Sequence, residues 1–202
     1  VDVTVQIIIN PQPVTGIPTA AIFCENDLIA NSPLDLFGQL SGNELGGTWA
    51  DDNSTGALTG SNVDITGLAV GSYNFTYSIT TLAGCSNSSS VVITIEPAPE
   101  SGNALAPIEI CEEDTIASSP FDLFTLLDGT QDTNGTWYVG SDTSGATITN
   151  PIDISGFADG TYNYTYSVPA IGTCTDVDVT VQIIVNPQPN TGVPTAVVLC
   201  EN

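Results

Sequence analysis

The sequence predicts an all-β fold made of tandem antiparallel β-sandwiches, each of about ninety residues. Residues 1–26 recur at 177–202 with 20 of 26 positions identical, and a weaker copy of the pattern lies halfway between them. Apolar and polar residues alternate over several strand-length stretches, and no amphipathic helical pattern accompanies them. This spacing fits one small sandwich domain per repeat rather than one turn of a solenoid.

The last strand of each repeat sets the predicted borders. Valine and isoleucine occupy every second position at 1–9, 91–95 and 177–185, and two prolines follow each stretch. Because proline cannot donate to a β-ladder, each pair ends its strand. The predicted domains are two sandwiches at 14–99 and 100–189, the last strand of a preceding repeat at 1–13, and the start of a following repeat at 190–202. The chain is thus interpreted as a stretch of a longer array.

Inside each repeat, a glycine two residues before a tyrosine opens a long alternating strand. Gly71 precedes Tyr73, and Gly160 precedes Tyr162. A short strand, a tight turn and Gly-x-Tyr form the pattern of the E–F corner in immunoglobulin-like sandwiches. The tandem units are therefore predicted to be immunoglobulin-like, with the Gly-Thr-Trp motif at 47–49 and 135–137 opening a central strand and its tryptophan in the core.

The Ser-Pro-x-Asp-Leu-Phe motif at 32–37 and 119–124 is compatible with two local structures. Serine followed by proline can begin a helical turn. The leucines that follow can also belong to an early strand. We predict a strand with a brief helical entry.

The composition excludes several classes of function. The chain has no lysine, arginine or histidine and carries 23 acidic residues. Nucleic acids and anionic membranes are bound through basic residues, so neither is an expected partner. Histidine-dependent nucleophiles, Schiff-base lysines and P-loops are also impossible. No apolar stretch reaches the length of a membrane span, so direct membrane insertion is not expected. We predict that the chain is not an enzyme.

The cysteines occupy two equivalent positions in each repeat. The early position holds Cys24, Cys111 and Cys200, and the late position holds Cys85 and Cys174. Regular cysteines without histidine ligands predict disulfides and an oxidising compartment. The simplest pairing is Cys24–Cys85 with Cys111–Cys174, each closing a loop of about sixty residues. A Cys24–Cys174 bridge between repeats is the alternative if the early cysteine lies at the lower end of its domain.

Acidic residues flank the early cysteines and are the candidates for a metal site. They are Glu25, Asp27, Glu112, Glu113 and Asp114. Carboxylate oxygens are suitable Ca²⁺ ligands, and a bound ion would stiffen the junctions between repeats. No D-x-D-x-D-G loop accompanies them, and a solvated acidic surface explains the same residues. We predict no obligatory cofactor and keep Ca²⁺ as a hypothesis.

The ordered motifs resemble a known repeat type. The series Cys, Ser-Pro-x-Asp-Leu-Phe, Gly-Thr-Trp, Gly-x-Tyr, Cys and Pro-x-Pro is similar to the immunoglobulin-like tandem repeats of giant Bacteroidetes cell-surface proteins, the SprB-type repeats of gliding-motility adhesins. The resemblance covers the whole chain. It implies export by the type IX system and an outer-membrane-attached filament. It also implies O-glycosylation at Asp-Thr motifs, which makes Thr115 a candidate acceptor.

Two functions are compatible with these observations. The first is a structural stalk or filament in a giant extracellular adhesin, serving surface attachment and gliding motility. Its partners are further repeats of the same chain, with surface polysaccharide or the substratum as possible contacts. The second is a carbohydrate-binding or accessory β-sandwich module of a secreted hydrolase. A catalytic domain elsewhere in the same protein would favour the second.

Overall fold

The computed structural model describes residues 3–189 and residue 192. The chain divides into two compact units. Unit 1 comprises residues 1–99 together with 170–175, and unit 2 comprises residues 100–169 and 176–202. The segment 170–175 belongs to the second repeat by sequence but to unit 1 by its contacts. The predicted start of a following repeat at 190–202 lies outside the described residues, apart from Gly192.

Within its described residues, unit 1 contains nine strands, one helical turn and three short 3-10 helices. The strands are β1 (Ile17–Pro18), β2 (Ala21–Cys24), β3 (Leu34–Asp35), β4 (Leu40–Ser41), β5 (Thr48–Asp51), β6 (Leu58–Thr59), β7 (Asn62–Val63), β8 (Gly71–Thr80) and β9 (Ser86–Glu96). The helical turn is α1 (Leu28–Asn31), and the 3-10 helices are Glu25–Asp27, Leu36–Gln39 and Ile65–Gly67.

The strands of unit 1 form layered sheets around one apolar core. The main sheet has the order β2-β9-β8-β5, and smaller sheets are formed by β3-β7-β6 and by β1-β4. Alternation along β8 and β9 turns one face of the main sheet inward, which buries Phe75, Tyr77, Val91, Ile93 and Ile95. Leu36, Val63 and Ile65 complete the core from the opposite side.

Unit 2 repeats this architecture with a more continuous main sheet. Its strands are β10 (Ile108–Cys111), β11 (Thr136–Val139), β12 (Thr147–Ile148), β13 (Gly160–Val168) and β14 (Val177–Asn186), in the order β10-β14-β13-β11-β12. The 3-10 helices are Glu112–Asp114 and Leu123–Leu126. Single bridges, Ala104 with Leu127 and Phe121 with Ile152, take the places of the small sheets of unit 1. The core includes Leu123, Ile154, Tyr166, Val168 and Ile183.

The predicted all-β sandwich is confirmed, but its sheets are not purely antiparallel. In each unit the first strand of the main sheet runs parallel to the last strand, β2 beside β9 and β10 beside β14. After β2 the chain leaves the sheet through a 3-10 helix and α1 instead of turning back as a hairpin. β2 can therefore pair with the outer edge of β9 and run parallel to it.

The stretch 1–13 was predicted as a strand, and the structure shows no strand in its described part. Val3, Val5, Ile7 and Ile9 are all at least 80% exposed. The equivalent stretch β14 is a strand because β13 and β10 flank it on both sides. No such neighbours pair with residues 3–13 among the described residues. Alternation alone does not hold a strand without a paired edge.

The Ser-Pro-x-Asp-Leu-Phe motif forms a short strand that leads into a 3-10 helix. Asp35 caps the helix Leu36–Gln39 by accepting a hydrogen bond from the Phe37 amide at 3.1 Å. Ser32 donates to Asp64 at 2.9 Å and accepts from the Ile65 amide at 3.2 Å. The motif thus joins two segments of the sandwich through side-chain hydrogen bonds. The predicted helical entry into a strand is present, because the 3-10 helix leads into β4, but the short strand β3 precedes it.

The equivalent carboxylate in unit 2, Asp153, accepts hydrogen bonds from both the hydroxyl of Ser119 and the amide of Ser155. The hydroxyl of Ser155, the hydroxyl of Ser119 and the Ser155 amide lower the pKa of Asp153 from 3.8 to about 2. A group with a lowered folded-state pKa stabilises the fold above its unfolded-state pKa and loses that contribution as the pH falls towards its folded-state pKa.

We therefore expect Asp153→Asn to be less sensitive to acid than the wild-type chain between about pH 4 and pH 2. Thermal unfolding of both proteins across this range measures the difference directly. The comparison with the wild-type chain is needed because protonation also relieves the repulsion among the 23 acidic residues. This relief stabilises both proteins as the pH falls, so only the difference between them reports on Asp153. Parallel acid profiles for the two proteins would show that the Asp153 hydrogen bonds contribute nothing.

In each unit, the hydroxyl of a buried tyrosine accepts a hydrogen bond from the amide of a glycine that packs against its ring. The Tyr77 hydroxyl accepts from the Gly47 amide and donates to the Glu44 carbonyl, both at 2.9 Å. Phe37 and Trp49 pack against the Tyr77 ring with centroid distances of 5.2 and 5.0 Å. A Cβ at Gly47 would lie 2.8 Å from the Tyr77 ring, so this glycine is needed for close approach. Gly135 and Tyr166 repeat the arrangement in unit 2.

The Gly-x-Tyr motif forms the predicted corner. The Tyr73 hydroxyl donates to the Ala69 carbonyl at 2.9 Å, and the Tyr162 hydroxyl donates to the Ala158 carbonyl at 3.0 Å. Each tyrosine binds the backbone four residues upstream, as in the tyrosine corner of immunoglobulin-like domains.

Candidate functional site

The segment 170–175 packs in unit 1 at the end of β9, and this contact is the candidate functional site. We call the surface that receives it the loop-docking site, defined by Cys24, Glu25, Glu96, Pro97 and Ala98. β2 and β9 bring these residues together because Cys24 lies opposite Glu96 in the parallel ladder. The proline pair then ends β9, so its last residues turn toward the loop.

A disulfide joins Cys24 to Cys174, with their Cα atoms 4.9 Å apart. Both cysteines are 3% exposed, and they form a small apolar cluster with Ala98. Cys174 Sγ also lies 3.3 Å from the Pro97 carbonyl oxygen. The covalent bond is therefore enclosed by the backbone that follows β9.

Glu96 anchors the loop on the other side of the disulfide. Its carboxylate accepts hydrogen bonds from the amide of Thr173 at 2.7 Å and from the hydroxyl of Thr173 at 3.1 Å. Gly172 lies against the same carboxylate at a φ of +56°, and any Cβ there would collide with the Glu96 carboxylate. The positive φ favours glycine at this position, and a Cβ would force the Glu96 carboxylate to move.

Glu25 holds the proline-rich segment in place. Its carboxylate accepts a hydrogen bond from the Ala98 amide at 2.8 Å. In a chain without lysine, arginine or histidine, carboxylates can be satisfied only by neutral donors, water or added cations. At the loop-docking site, Glu25 and Glu96 both use backbone amides.

The predicted pairs Cys24–Cys85 and Cys111–Cys174 are wrong, and the alternative Cys24–Cys174 is the one present. Cys24 lies opposite Glu96, whereas Cys85 precedes Ser86 at the other end of β9. Ten strand residues span about 33 Å, far beyond the Cα separation of less than about 7 Å that a disulfide requires. The same geometry separates Cys111, opposite Asn186, from Cys174. Cys85 and Cys111 are free thiols.

The acidic residues that flank the early cysteines do not form a cluster of ligands. Glu25, Asp27, Glu112, Glu113 and Asp114 are exposed. Glu25 accepts from Ala98, and Glu113 accepts from Gln188 at 2.7 Å. Residues 3–189 contain no group of three or more histidine, cysteine or acidic side chains that could hold a metal ion. The Ca²⁺ hypothesis therefore has no preformed ligand set in this part of the chain.

Salt should stabilise the chain through screening alone. A net charge of −23 without cations produces only repulsion between side chains, which added ions reduce. We expect the unfolding temperature to rise with NaCl, and CaCl₂ and MgCl₂ to have equal effects at equal ionic strength. Scanning calorimetry in the three salts tests this. A larger increase with Ca²⁺ at micromolar concentrations would show a specific site.

Thr115, the predicted O-glycosylation acceptor, lies in the interior. It is 2% exposed, and its hydroxyl donates to the Glu112 carbonyl at 2.9 Å and accepts from the Gly156 amide at 3.4 Å. Its counterpart in the first repeat is the buried Leu28. A transferase acting on the folded unit could not reach this hydroxyl, so the prediction holds only for the chain before it folds.

A cavity of about 520 Å³ lies beside the partly buried Trp49 in unit 1. Phe37, Leu58, Gly60 and Ser61 also line it. The Trp49 indole nitrogen is buried and has no hydrogen-bond partner among the described residues. Trp49 packs on Phe37 and Tyr77, as the core prediction requires. The exposed part of its ring is an aromatic surface that could face a sugar ring.

Comparisons with known proteins identify similar structures only. Neither a family model nor a curated protein matches the chain. A SusE-like surface-located polysaccharide-binding protein from the heparin utilisation locus of Bacteroides thetaiotaomicron shares 17% identity over 86% of this chain, with a TM-score of 0.31. The SGBP-B protein of the mixed-linkage glucan utilisation locus of Bacteroides ovatus shares 16% identity over 68% of this chain, with a TM-score of 0.23.

The chain spans about a third of the length of these two structures, 34% and 36%. The first description names polysaccharide binding, and the second names a complex with a mixed-linkage heptasaccharide. At these scores the likeness does not extend to function. Within the described residues, the helices are single turns, and none has the length and apolar character needed to cross a bilayer.

Proposed function

We propose that the chain is a load-bearing spacer in an extracellular surface filament, in which a disulfide carries tension past folded sandwich units. The Cys24–Cys174 bond carries this proposal, because it joins two cysteines separated by 150 residues. A force applied to the two ends of the chain passes from residue 24 to residue 174 through the disulfide. The strands between the two cysteines do not have to resist it, whereas β14, which follows Cys174, resists it through its pairing with β13 and β10.

The length of chain that the disulfide protects from extension can be measured. An extended polypeptide gains about 3.5 Å per residue, so the disulfide withholds about 500 Å of chain from extension. The pairing predicted from the sequence would instead protect two separate loops of about sixty residues, or about 200 Å each. Force and extension therefore distinguish the two connectivities.

Single-molecule pulling on the full chain tests the spacer function. We expect the oxidised chain to extend only through its terminal segments, and the reduced chain to release a further length of about 500 Å. Cys24→Ser should behave like the reduced chain, and Cys85→Ser, the matched control, should behave like the oxidised wild type. Complete extension of the oxidised wild type at low force would contradict a load-bearing role.

The composition supports an extracellular setting for such a spacer. Disulfides persist in oxidising compartments. The net charge of −23 keeps neighbouring copies apart by repulsion. The absence of lysine and arginine removes every cleavage site for trypsin-like proteases. The resemblance to SprB-type repeats extends the proposal to an outer-membrane-attached adhesive filament, exported by the type IX system and used in gliding.

Binding of polysaccharide is the second candidate, favoured by the cavity beside Trp49. One of the two similar structures is described as polysaccharide-binding, and the other is described in complex with a heptasaccharide. Calorimetric titration with soluble polysaccharides, heparin and mixed-linkage glucan among them, separates the candidates. The spacer function predicts no saturable binding. Saturable binding that Trp49→Ala abolishes, with an unchanged circular dichroism spectrum, would favour the second candidate.

A further inference from the structure

We propose that Cys111 and Cys85 are two further cross-linking sites, each taking a cysteine from an adjacent repeat of this chain's own type. Cys111 would receive the late cysteine of a following repeat, and Cys85 would join the early cysteine of a preceding one. The inference deepens the proposed spacer function and rests on it, because it makes the disulfide path continuous from repeat to repeat.

The backbone presents Cys111 and Cys24 in the same way. Cys24 ends β2 opposite Glu96, and Cys111 ends β10 opposite Asn186, in the same parallel arrangement. Their dihedral angles are nearly identical, with φ and ψ of −74° and 142° at Cys24 and −73° and 146° at Cys111. A 3-10 helix of three residues follows each cysteine. Unit 2 therefore has the same framework that holds the disulfide in unit 1.

The two frameworks differ in what covers them. In unit 1, Cys24 is 3% exposed and Ala98 is 7% exposed, beneath the loop 170–175. In unit 2, Cys111 is partly exposed, and Gln188, the counterpart of Ala98, is exposed. Pro99 is buried, whereas its counterpart Pro189 is exposed. The surface around Cys111 is a loop-docking site without its loop.

Cys85 lies in a loop whose contacts match those of the loop that carries Cys174. Its Sγ lies 3.9 Å from the carbonyl oxygen of Asn10, and Cys174 Sγ lies 3.9 Å from the carbonyl oxygen of Glu96. Asn10 and Glu96 both directly precede a Pro-x-Pro segment. Gln12 donates to the Ser86 carbonyl, and Asn87 donates to the Pro13 carbonyl. The Cys85 loop therefore lies against residues 10–13 as the Cys174 loop lies against the end of β9.

These observations identify the partner of Cys111 as a loop of the same kind, with a glycine shortly before its cysteine. Gly84 precedes Cys85 at a φ of +83°, and Gly172 precedes Cys174 at +56°. In forming each bond, two thiols lose two protons and two electrons. A dithiol–disulfide oxidant of the extracellular compartment accepts them by thiol–disulfide exchange.

A tandem chain tests the inference. Residues 1–189 are joined to residues 14–202 of a second copy, which keeps the Pro-Gln-Pro junction of the natural sequence. After refolding with oxidised and reduced glutathione, free thiols are alkylated and the chain is digested by proteases that cleave at acidic residues. We expect a peptide that joins Cys111 of the first copy to Cys85 of the second, and Cys24–Cys174 within each copy.

The tandem chain contains its own controls. Cys85 of the first copy and Cys111 of the second copy should be alkylated, because neither has a neighbour. Changing only the second copy's Cys85 to serine should leave Cys111 of the first copy alkylated and both Cys24–Cys174 peptides intact. Alkylation of every Cys111 in the unmodified tandem chain, with both Cys24–Cys174 peptides present, would overturn the inference. The proposed spacer function fails separately, in the pulling and polysaccharide-binding experiments.

Discussion

Replacing Cys24 with serine should release the loop 170–175 and lower the free energy of unfolding by as much as about 5 kcal/mol. The disulfide spans 150 residues of sequence. On the loop-entropy account, a cross-link of this span restricts the unfolded chain by about that amount. The variant also leaves the Cys174 thiol unpaired at a position that is 3% exposed in the wild-type structure. Urea denaturation measures the total change, and hydrogen exchange at Thr173 reports the loss of its bond to Glu96.

Cys85→Ser and Cys111→Ser are the matched controls for this experiment. Both cysteines are free thiols and partly exposed, so neither substitution removes a covalent bond from the chain. We expect each to change the free energy of unfolding by less than about 0.5 kcal/mol. A cost at Cys85 equal to that at Cys24 would mean that these two residues are the real partners.

Gly135→Ala should destabilise unit 2 by about 3 kcal/mol, in the upper range for overpacking a core. A Cβ at this position would lie 2.5 Å from the Tyr166 ring and 2.5 Å from the Ser167 carbonyl oxygen. Tyr166 is 1% exposed and cannot move without disturbing Phe124 and Trp137, which pack on its ring. Thermal unfolding followed by near-ultraviolet circular dichroism would detect the loss of this aromatic cluster.

Gly67→Ala is the control for this substitution. No atom lies within 4 Å of a Cβ at Gly67, and its φ is not positive. We expect its unfolding temperature to equal that of the wild type or to rise slightly, since alanine restricts the unfolded chain. Equal losses from Gly67→Ala and Gly135→Ala would show that backbone flexibility, and not contact with Tyr166, explains the requirement for glycine.

The strands and corners could be predicted from the sequence because their signals are local. Alternation with period two identified β8, β9, β13 and β14, where one face is buried and the other is solvated. The Gly-x-Tyr pattern identified the corner, because the tyrosine reaches a carbonyl only four residues away. The 1–13 stretch has the same alternation, but its described residues 3–13 are not a strand. Strand formation there depends on neighbours that a local pattern does not describe.

The disulfide connectivity could not be predicted from local signals. It depends on which end of β9 receives β2, and therefore on whether the pairing is parallel or antiparallel. Equal spacing of the cysteines is compatible with both. The one available signal is the first strand of an immunoglobulin-like sheet, which often pairs beside the last strand. Such a pairing places the early cysteine beside the proline pair and far from Cys85.

The sequence also left the anchors of the loop unidentified. Glu96 and Thr173 are a single acidic residue and a single threonine in a chain rich in both. Only their contact, a carboxylate that accepts from the Thr173 amide and hydroxyl, distinguishes them. Thr115 shows the opposite problem. Its motif is local and recognisable, but the burial that makes its hydroxyl inaccessible is a property of the folded unit.

The early cysteine of one repeat is bonded to the late cysteine of the next. Peptide mapping of the oxidised chain without reduction tests it most directly, using proteases that cleave at acidic residues because trypsin has no site. We expect a peptide joining Cys24 to Cys174, with Cys85 and Cys111 alkylated. Recovery of Cys24 joined to Cys85 and Cys111 joined to Cys174 would contradict it.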